Sequence, residues 1–486
     1  MRSLWSDEDA AAAVRRYADQ GVGEDLALRT YSARLLGGEP RLVLHGGGNT
    51  SVKTRARDVF GEEVEVLCVK GSGWDLGAIE PAGHPAVRLQ PLMKLRALNR
   101  LSDEDMVSAQ RQLLLDPAAP NPSVETLLHA FIPDKFVDHT HSTAILALAD
   151  QPDSEAIFAE LFGERVALVP YVMPGFDLAR AAGEARDKRP DAEGMILLKH
   201  GVFSFGATAQ ESYERMIALV SAAEDFIARR PRVSLQPVAL ARPPTPAEAL
   251  PALRGALARA AGDAWPKRWI LDLRTGAAAR AIADDERLAD WAERGVATPD
   301  HVIRTKRFPL VASSSADGLD KALSDYGAAY RSYFERNNAR TGGIKTQLDP
   351  LPRVAAIFGL GLVGIGKSAG EAAVAADIAE SWASTLLGAE AVGRFEPVGE
   401  TDTFDMEYWS LEQAKLGKSA EKRLARHVAV ITGGAGAIGA ATARAFAAEG
   451  CEIAVLDLDG EAAGRVAQAI GGKALGLACD VTKARA

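Results

Sequence analysis

The sequence predicts an α/β protein made of unlike parts joined in series, and three observations predict it. Strand-length apolar runs such as EVEVLCV (63–69) and GMILL (194–198) alternate with longer amphipathic stretches of helical period. A proline-rich, aperiodic stretch, RPRVSLQPVALARPPTPAEALP (230–251), breaks that alternation and reads as a stiff linker. The last sixty residues run strand, glycine turn, helix, strand and then an acidic residue, which is the opening of a doubly wound sheet. The expected parts are therefore a first domain over 1–235, a linker over 236–252, a middle domain over 253–420 and a partial Rossmann fold over 421–486.

In chain order, residues 6–20 read as a helix with Ser6 as its cap and Asp9 three positions on. RLVLHGGGNTSVKT (41–54) is expected to pass from a strand through a glycine turn into a second strand, where bare amides and Asn49 suit an anion. EVEVLCVKGSGWDL (63–76) repeats the arrangement, its small residues Gly71, Ser72 and Gly73 letting the backbone approach a ligand.

The richest stretch is NPSVETLLHAFIPDKFVDHTHSTAILALAD (121–150). KFVDHTH alternates like a strand, so His139 and His141, two apart, leave one face and can share a cation. His200 ends the apolar run GMILLKHG at a glycine turn and is the candidate third ligand. Glu125 is expected on the helix before the His139 strand, with Ser123 as cap, and is a fourth ligand or a base. The plainer alternatives are a solvated glutamate beside a helix dipole and two histidines hydrogen-bonded within the strand. His45, His84 and His129 are assigned to no metal. GVFSFGATAQESYERMIALVSAAEDFIARR (201–230) then reads as the end of a hairpin and a long helix that closes the domain.

In the middle domain helices are expected near 246–262 and 318–337, with a strand at RWILDL (268–273). FGLGLVGIG (358–366) matches GxGxxG, but no acid ends a second strand about 20 residues on, so dinucleotide binding is rejected. LLKHGVFSFGATAQE (197–211) instead aligns without gaps on IFGLGLVGIGKSAGE (357–371), with Leu360 opposite His200. That predicts a degenerate second copy of the first domain without its metal ligand. Arg304, Lys306 and Arg307 are expected at a solvated basic strand end, and 410–427 as a charged helix.

At the C-terminal end Gly433, Gly436 and Gly439 stand where a pyrophosphate meets a helix N-terminus, and Asp457 ends the next strand where it can bond a ribose 2′-OH, favouring NAD over NADP. Only the first half of the doubly wound sheet is expected, with its first strand's edge unpaired, which predicts poor stability and aggregation.

A composition of 47% apolar and 25% charged residues with a net charge of -9 describes a globular protein with no footprint for nucleic acid. Cys68, Cys451 and Cys479 form no CxxC pair, which excludes a thiolate zinc cluster and suits a reducing cytoplasm. Acidic residues near the start and the lack of a long uncharged apolar run argue against export or a membrane span.

GGGNTSVK (46–53), KGSGW (70–74), PSVE (122–125), HTH (139–141) and KHG (199–201) together resemble the class II aldolase/adducin family over roughly the first 230 residues. The resemblance implies a sugar-phosphate aldolase using Zn2+ or another divalent metal held by Glu125, His139, His141 and His200, with Glu125 catalytic. It also implies a substrate phosphate held by Asn49, Ser72, Gly73 and Ser123, with Lys70 nearby. Val124 stands where the fuculose-phosphate type has a second serine. The same family includes sugar-phosphate 4-epimerases, with Asp at the Glu125 position, and adducin-like modules lacking the histidines; the residues here favour the aldolase. A further acid/base, a tyrosine of a neighbouring subunit in the family, implies a homo-oligomer; Tyr171 is the one candidate offered by this chain. The final segment resembles the short-chain dehydrogenase/reductase family, in which CDVT places Asp480 near the adenine, but the later Tyr and Lys of that family are not encoded, so a truncated, inactive dehydrogenase is expected. The whole order resembles the bifunctional rhamnulose-phosphate aldolase/short-chain dehydrogenase family, which implies cleavage of a deoxyketose 1-phosphate to dihydroxyacetone phosphate and lactaldehyde.

Overall fold

A computed structural model of the chain describes residues 1–415 and 420–483. Contacts group it into two compact units that interleave in sequence. One comprises Met1–Ser234, Arg294–Ile303 and Ser384–Leu416; the other comprises Leu235–Glu293, Arg304–Ala383 and Gly417–Ala486. Both contain strands and helices. Among the described residues no helix is long and apolar enough to cross a membrane.

The first unit is built on seven strands: β1 (Asn49–Arg57), β2 (Glu63–Val69), β3 (Ala86–Arg88), β4 (Phe136–Thr140), β5 (Val166–Val169), β6 (Gly194–Leu197) and β7 (Gly201–Gly206). They lie in the order β3-β2-β1-β4-β7-β6-β5, with every pair antiparallel except β5 and β6. Because successive side chains leave opposite faces, Val202 packs with Leu36, Leu148, Tyr213 and Met216, while Phe203 and Phe205 pack with Leu127, Phe131 and Leu178. The sheet is thereby covered by helices on both faces. Arg29, on the helix Glu24–Gly37, reaches Asp138 of β4 at 2.5 Å with both side chains fully buried, and Ser212 donates to the same carboxylate at 2.5 Å.

Several local expectations differ from the fold. RLVL (41–44) is not a strand: positive φ at His45, Gly46 and Gly48 turns the chain away from the ladder, and Leu42 and Val43 are buried instead. Glu125 is not inside a helix but is the N-cap of Thr126–Phe131, with Ser123 Oγ accepting from its amide at 3.3 Å. The charged stretch 410–427 is helical only over Ser410–Lys415; residues 416–419 lie outside the described residues, and 423–426 form a turn.

The second unit carries β8 (Ile270–Arg274), β9 (Leu310–Ala312), β10 (Val354–Ile357) and β11 (Gly361–Gly366) in the order β8-β11-β10-β9. β8 and β11 are antiparallel, as are β10 and β11, while β9 and β10 are parallel. The glycines of FGLGLVGIG serve this hairpin: Gly359 has φ +76, and a Cβ on Gly364 would fall 2.1 Å from the Ala372 carbonyl oxygen. Lys306 is not solvated; it is buried, with Nζ donating to Asp349 O at 2.6 Å and lying 3.9 Å from the Tyr330 ring centroid.

The same unit ends in three parallel strands, β12 (Val428–Thr432), β13 (Glu452–Asp457) and β14 (Leu475–Ala478), in that order across the sheet. The helices Ala437–Ala448 and Gly460–Ile470 connect them. Val428 and Val430 of the edge strand β12, and Ile438 and Phe446 of the helix after it, are exposed.

Candidate metal centre

β4 pairs with β1 on one side and β7 on the other, so the site is assembled from a strand and the turns at its two neighbours' ends. Asn49 of β1 lies opposite His139, and His139 lies opposite Phe203 of β7, whose ring stacks on the imidazole at 4.1 Å between centroids. His141 follows two residues later on the same side, and His200 ends the β6–β7 turn. All three rings are buried, and one ligand atom of each lies within 4.8 Å of the others. Gly201 makes room for them, since a Cβ there would lie 2.9 Å from His139 Cε1 and 3.1 Å from His141 Cδ2.

Glu125 closes the group. Its Oε2 is 3.7 Å from His139 Nε2, its Oε1 is 3.5 Å from His200 Nε2, and His139 Nε2 is 3.0 Å from His141 Nε2. Four donors arranged tetrahedrally at ~2.1 Å from one cation would stand about 3.4 Å apart, which is the scale of these separations. The donor set also has the chemistry of a metal site. His139 Nδ1 donates to Val202 O at 3.1 Å, which leaves the Nε2 lone pair for the cluster. Glu125 Oε1 and both His200 ring nitrogens are buried with no hydrogen-bond partner among the described residues, and a cation would satisfy an acceptor from each. The residues present fit a divalent cation.

Behind Glu125 stands a relay that the sequence reading left out. Asn49 Nδ2 donates to Glu125 Oε2 at 2.5 Å, His129 Nε2 donates to Asn49 Oδ1, and Ser51 Oγ donates to His129 Nδ1 at 2.8 Å. Burial pushes the His129 imidazole well below its ordinary pKa, so it is the neutral ring this relay requires. The signal was present in the sequence: His129 is four residues after Glu125, one turn along the short helix. His84 is a second buried neutral ring, pushed down to about 3 by desolvation and bonded to Thr50 Oγ1 at 3.1 Å.

The residues expected at a phosphate lie beside Glu125 and on the loops next to it. Ser123 Oγ is 3.4 Å from Asn49 Nδ2, and the loop 70–73 is tied to 121–123 through Ser72 N to Asn121 O at 2.7 Å and Ser123 N to Lys70 O at 3.0 Å. Ser72 and Gly73 are exposed there, and Gly73 takes φ +86. Lys70 is turned inward, its ammonium bound to the carbonyls of Gly46 and Gly48 at 2.5 and 3.0 Å, so it fixes the glycine turn. Tyr171 lies half-buried in the loop after β5.

In the second unit Gly433, Gly436 and Gly439 form the turn between β12 and its helix, and Asp457 at the end of β13 accepts from Ala435 N at 3.0 Å. Asp480 lies beyond β14, bonded to Thr482 and Lys483.

Comparison with known proteins divides the chain in three consecutive stretches. The family profile described as class II aldolase and adducin N-terminal domain matches residues 29–227. That of aldolase class II, second domain, matches 244–416, and that of short chain dehydrogenase matches 427–486. An uncharacterized oxidoreductase of Bacillus subtilis (strain 168), YuxG, is 33% identical over 508 aligned positions, covering 99% of this chain and 71% of that protein. Among solved structures, the N-terminal class II aldolase domain of a conserved protein from Thermoplasma acidophilum is 38% identical, with a TM-score of 0.42, covering 47% of this chain and 99% of its own. The L-fuculose-1-phosphate aldolase of Thermus thermophilus is 18% identical with a TM-score of 0.28, covering 45% of this chain and 94% of its own. With a relative of this kind aligned along nearly its whole length, the chain belongs to the family in which class II aldolase domains are fused to a short-chain dehydrogenase segment.

Proposed function

We propose that the first unit cleaves a deoxyketose 1-phosphate of the rhamnulose-1-phosphate type into dihydroxyacetone phosphate and lactaldehyde, with zinc or another divalent cation held by His139, His141, His200 and Glu125. The observation that carries this reading is three buried imidazoles meeting one carboxylate, with donor separations of 3.0–3.7 Å and acceptor atoms that nothing else among the described residues satisfies. A cation there would act as a Lewis acid, polarising the ketose carbonyl and stabilising the enediolate charge.

The chain's own residues do the rest. As the carbon–carbon bond breaks, a base of the site, a tyrosine in this reading, takes the proton of the hydroxyl that becomes the aldehyde carbonyl, and Glu125, displaced from the cation by substrate and carrying a proton, gives it to the carbon left negative. The Asn49 amide holds one oxygen of that carboxylate, and neutral His129 holds the amide, so the carboxylate reaches the substrate in one orientation. Ser72, Gly73, Ser123 and Asn49 receive the phosphate. In the second unit the Gly433–Gly439 turn with Asp457 and Asp480 is proposed as an NAD cradle, and the first unit is proposed to work as a homo-oligomer.

The test is direct. Metal-replete protein incubated with rhamnulose 1-phosphate and with fuculose 1-phosphate should release dihydroxyacetone phosphate from the former. Release from neither substrate overturns the aldolase reading, and inversion of a pentulose phosphate at C4 would replace it with an epimerase.

A further inference from the structure

The turn between β6 and β7, which ends in His200, and the turn between β10 and β11 share one backbone. Leu197 pairs with Gly201 as Ile357 pairs with Gly361. His200 N donates to Leu197 O at 3.1 Å as Leu360 N does to Ile357 O at 3.0 Å. Both turns place their middle residue in the left-handed region, Lys199 at φ +59 and Gly359 at φ +76. Glycine adopts that conformation freely, whereas a residue with a Cβ is strained in it. The second turn takes the glycine; the turn that presents His200 keeps a lysine despite the strain.

The lysine side chain reaches a segment of the same compact unit that lies 198 residues further along the chain. Lys199 Nζ donates to Pro397 O at 3.3 Å and stands 3.6 Å from Glu396 Oε1. That segment is itself fixed. Arg394 N donates to Gln151 Oε1 at 2.9 Å, Glu396 N donates to Asp150 O at 2.8 Å, and Phe395 and Val398 are buried. Asp150 and Gln151 follow the helix Thr143–Ala149, which begins two residues after His141. One short segment thus braces the chain on both sides of the metal centre, through the helix after His141 and through the turn before His200.

His200 depends on such a brace more than His139 does. The His139 ring is oriented by its bond to Val202 O, whereas neither nitrogen of the His200 ring has a hydrogen-bond partner among the described residues. The aim of His200 is therefore set by its rotamer and by the backbone of its turn. We infer that Lys199 is a positioning residue of the metal centre: its ammonium, held by the Pro397 carbonyl and Glu396, anchors the turn so that His200 already faces its fellow ligands before a cation binds. The inference rests on the metal reading of the site and is independent of which sugar is cleaved. A ligand held in place beforehand loses less freedom on binding, so the anchor acts on metal affinity rather than on the stability of the fold.

The test uses full-length protein stripped with a chelator and titrated with Zn2+ against a competing chromophoric chelator. Lys199→Gly removes the side chain and the backbone strain together, so the metal-free variant should melt within about 2 °C of the wild type or above it, yet bind Zn2+ about 10-fold more weakly. Lys199→Asn, which tolerates the left-handed region but is too short to reach Pro397, should weaken binding by a similar factor. Lys199→Arg, which keeps a cationic donor of that reach, should stay within about threefold of the wild type. Unchanged Zn2+ affinity in Lys199→Gly overturns the inference. So does a loss that Lys199→Arg shares, or one that comes with a matching fall in the melting temperature, since the lysine would then be a support of the fold alone. If the wild type itself takes up no divalent cation, the metal reading falls first and takes this one with it; Zn2+ held equally by the wild type and all three variants sinks this inference and leaves the metal reading standing.

Discussion

The hairpin β6–β7 and the hairpin β10–β11 occupy the same place in their sheets, and among the described residues only the first adjoins a histidine cluster that could hold a metal. β4-β7-β6-β5 and β8-β11-β10-β9 have the same order and the same pair directions. The registers also coincide. Phe136 pairs with Gly206 as Ile270 pairs with Gly366, which sets Asp138 on Asp272, His139 on Leu273, His141 on Thr275 and His200 on Leu360. Even the helix caps agree: Thr208 Oγ1 accepts from Glu211 N and Glu211 from Ala207 N, as Ser368 Oγ does from Glu371 N and Glu371 from Lys367 N. The difference is concentrated in three side chains and one neighbour, since among the described residues β8 is an edge and no strand stands in the position of β1, which supplies Asn49. A common backbone frame therefore specifies neither a metal centre nor its absence; the polar side chains and the strand behind them do.

The sharpest way to test that lesson is to write the second hairpin's residues into the first. His139→Leu should leave a folded protein by circular dichroism, lose the bound metal by elemental analysis, and lower cleavage at least about 1,000-fold. Glu125→Gln should weaken metal binding about 10-fold, with the three imidazoles still holding the ion at saturating concentration, and lower kcat of the loaded enzyme about 100-fold, which separates the carboxylate's proton-transfer role from its part in holding the metal. The reverse exchange should be costly: Leu360→His puts an imidazole into a buried site where the corresponding neighbours are Leu273 and Thr275, and should lose about 2–4 kcal/mol in denaturant melts. His129→Gln, which disturbs only the relay that the second hairpin lacks, should lower kcat about 10-fold with metal content unchanged.

The smallest difference is a matched pair of aspartates. On the shared register Asp150 corresponds to Asp284, which is bonded to Arg280 at 2.6 Å and to Gly359 N at 3.1 Å. The Asp150 carboxyl is buried without a hydrogen-bond partner among the described residues, and desolvation holds its pKa well above the ordinary range. A carboxyl raised in this way gives its full stability below about pH 4, where the unfolded chain is also protonated, and loses it as pH rises toward the folded-state pKa. Asp150→Asn should therefore be neutral near pH 4 and stabilise by about 1 kcal/mol or more at pH 7.5, whereas Asp284→Asn should destabilise at both.

How much of this was legible depended on how local each cause was. The side-by-side histidines follow from the two-residue period of KFVDHTH, and the alignment of 197–211 with 357–371 anticipates the register because each hairpin is contiguous in sequence. The strand misread at RLVL failed because apolar content does not reveal a turn forced by three positive-φ positions in a run of four. Lys306 reads as a surface charge because its partners, Tyr330 and the Asp349 carbonyl, are 24 and 43 residues away in sequence. For the same reason the bond from the Asn49 amide to Glu125, 76 positions on, has no signature in the sequence.

The interleaving of the two units has a practical outcome for anyone dividing this protein. A cut at the proline-rich stretch, the obvious place by composition, removes Arg294–Ile303 and Ser384–Leu416 from the fragment that keeps the histidines. That fragment would present Val124 and Met173 to water and lack the partners of Asp103 and Gln151, namely Trp409 Nε1 and the Ala389 carbonyl. An isolated 1–235 piece is thus a mutilated enzyme rather than a minimal one, and poor behaviour from it would say nothing against the chemistry of the intact chain.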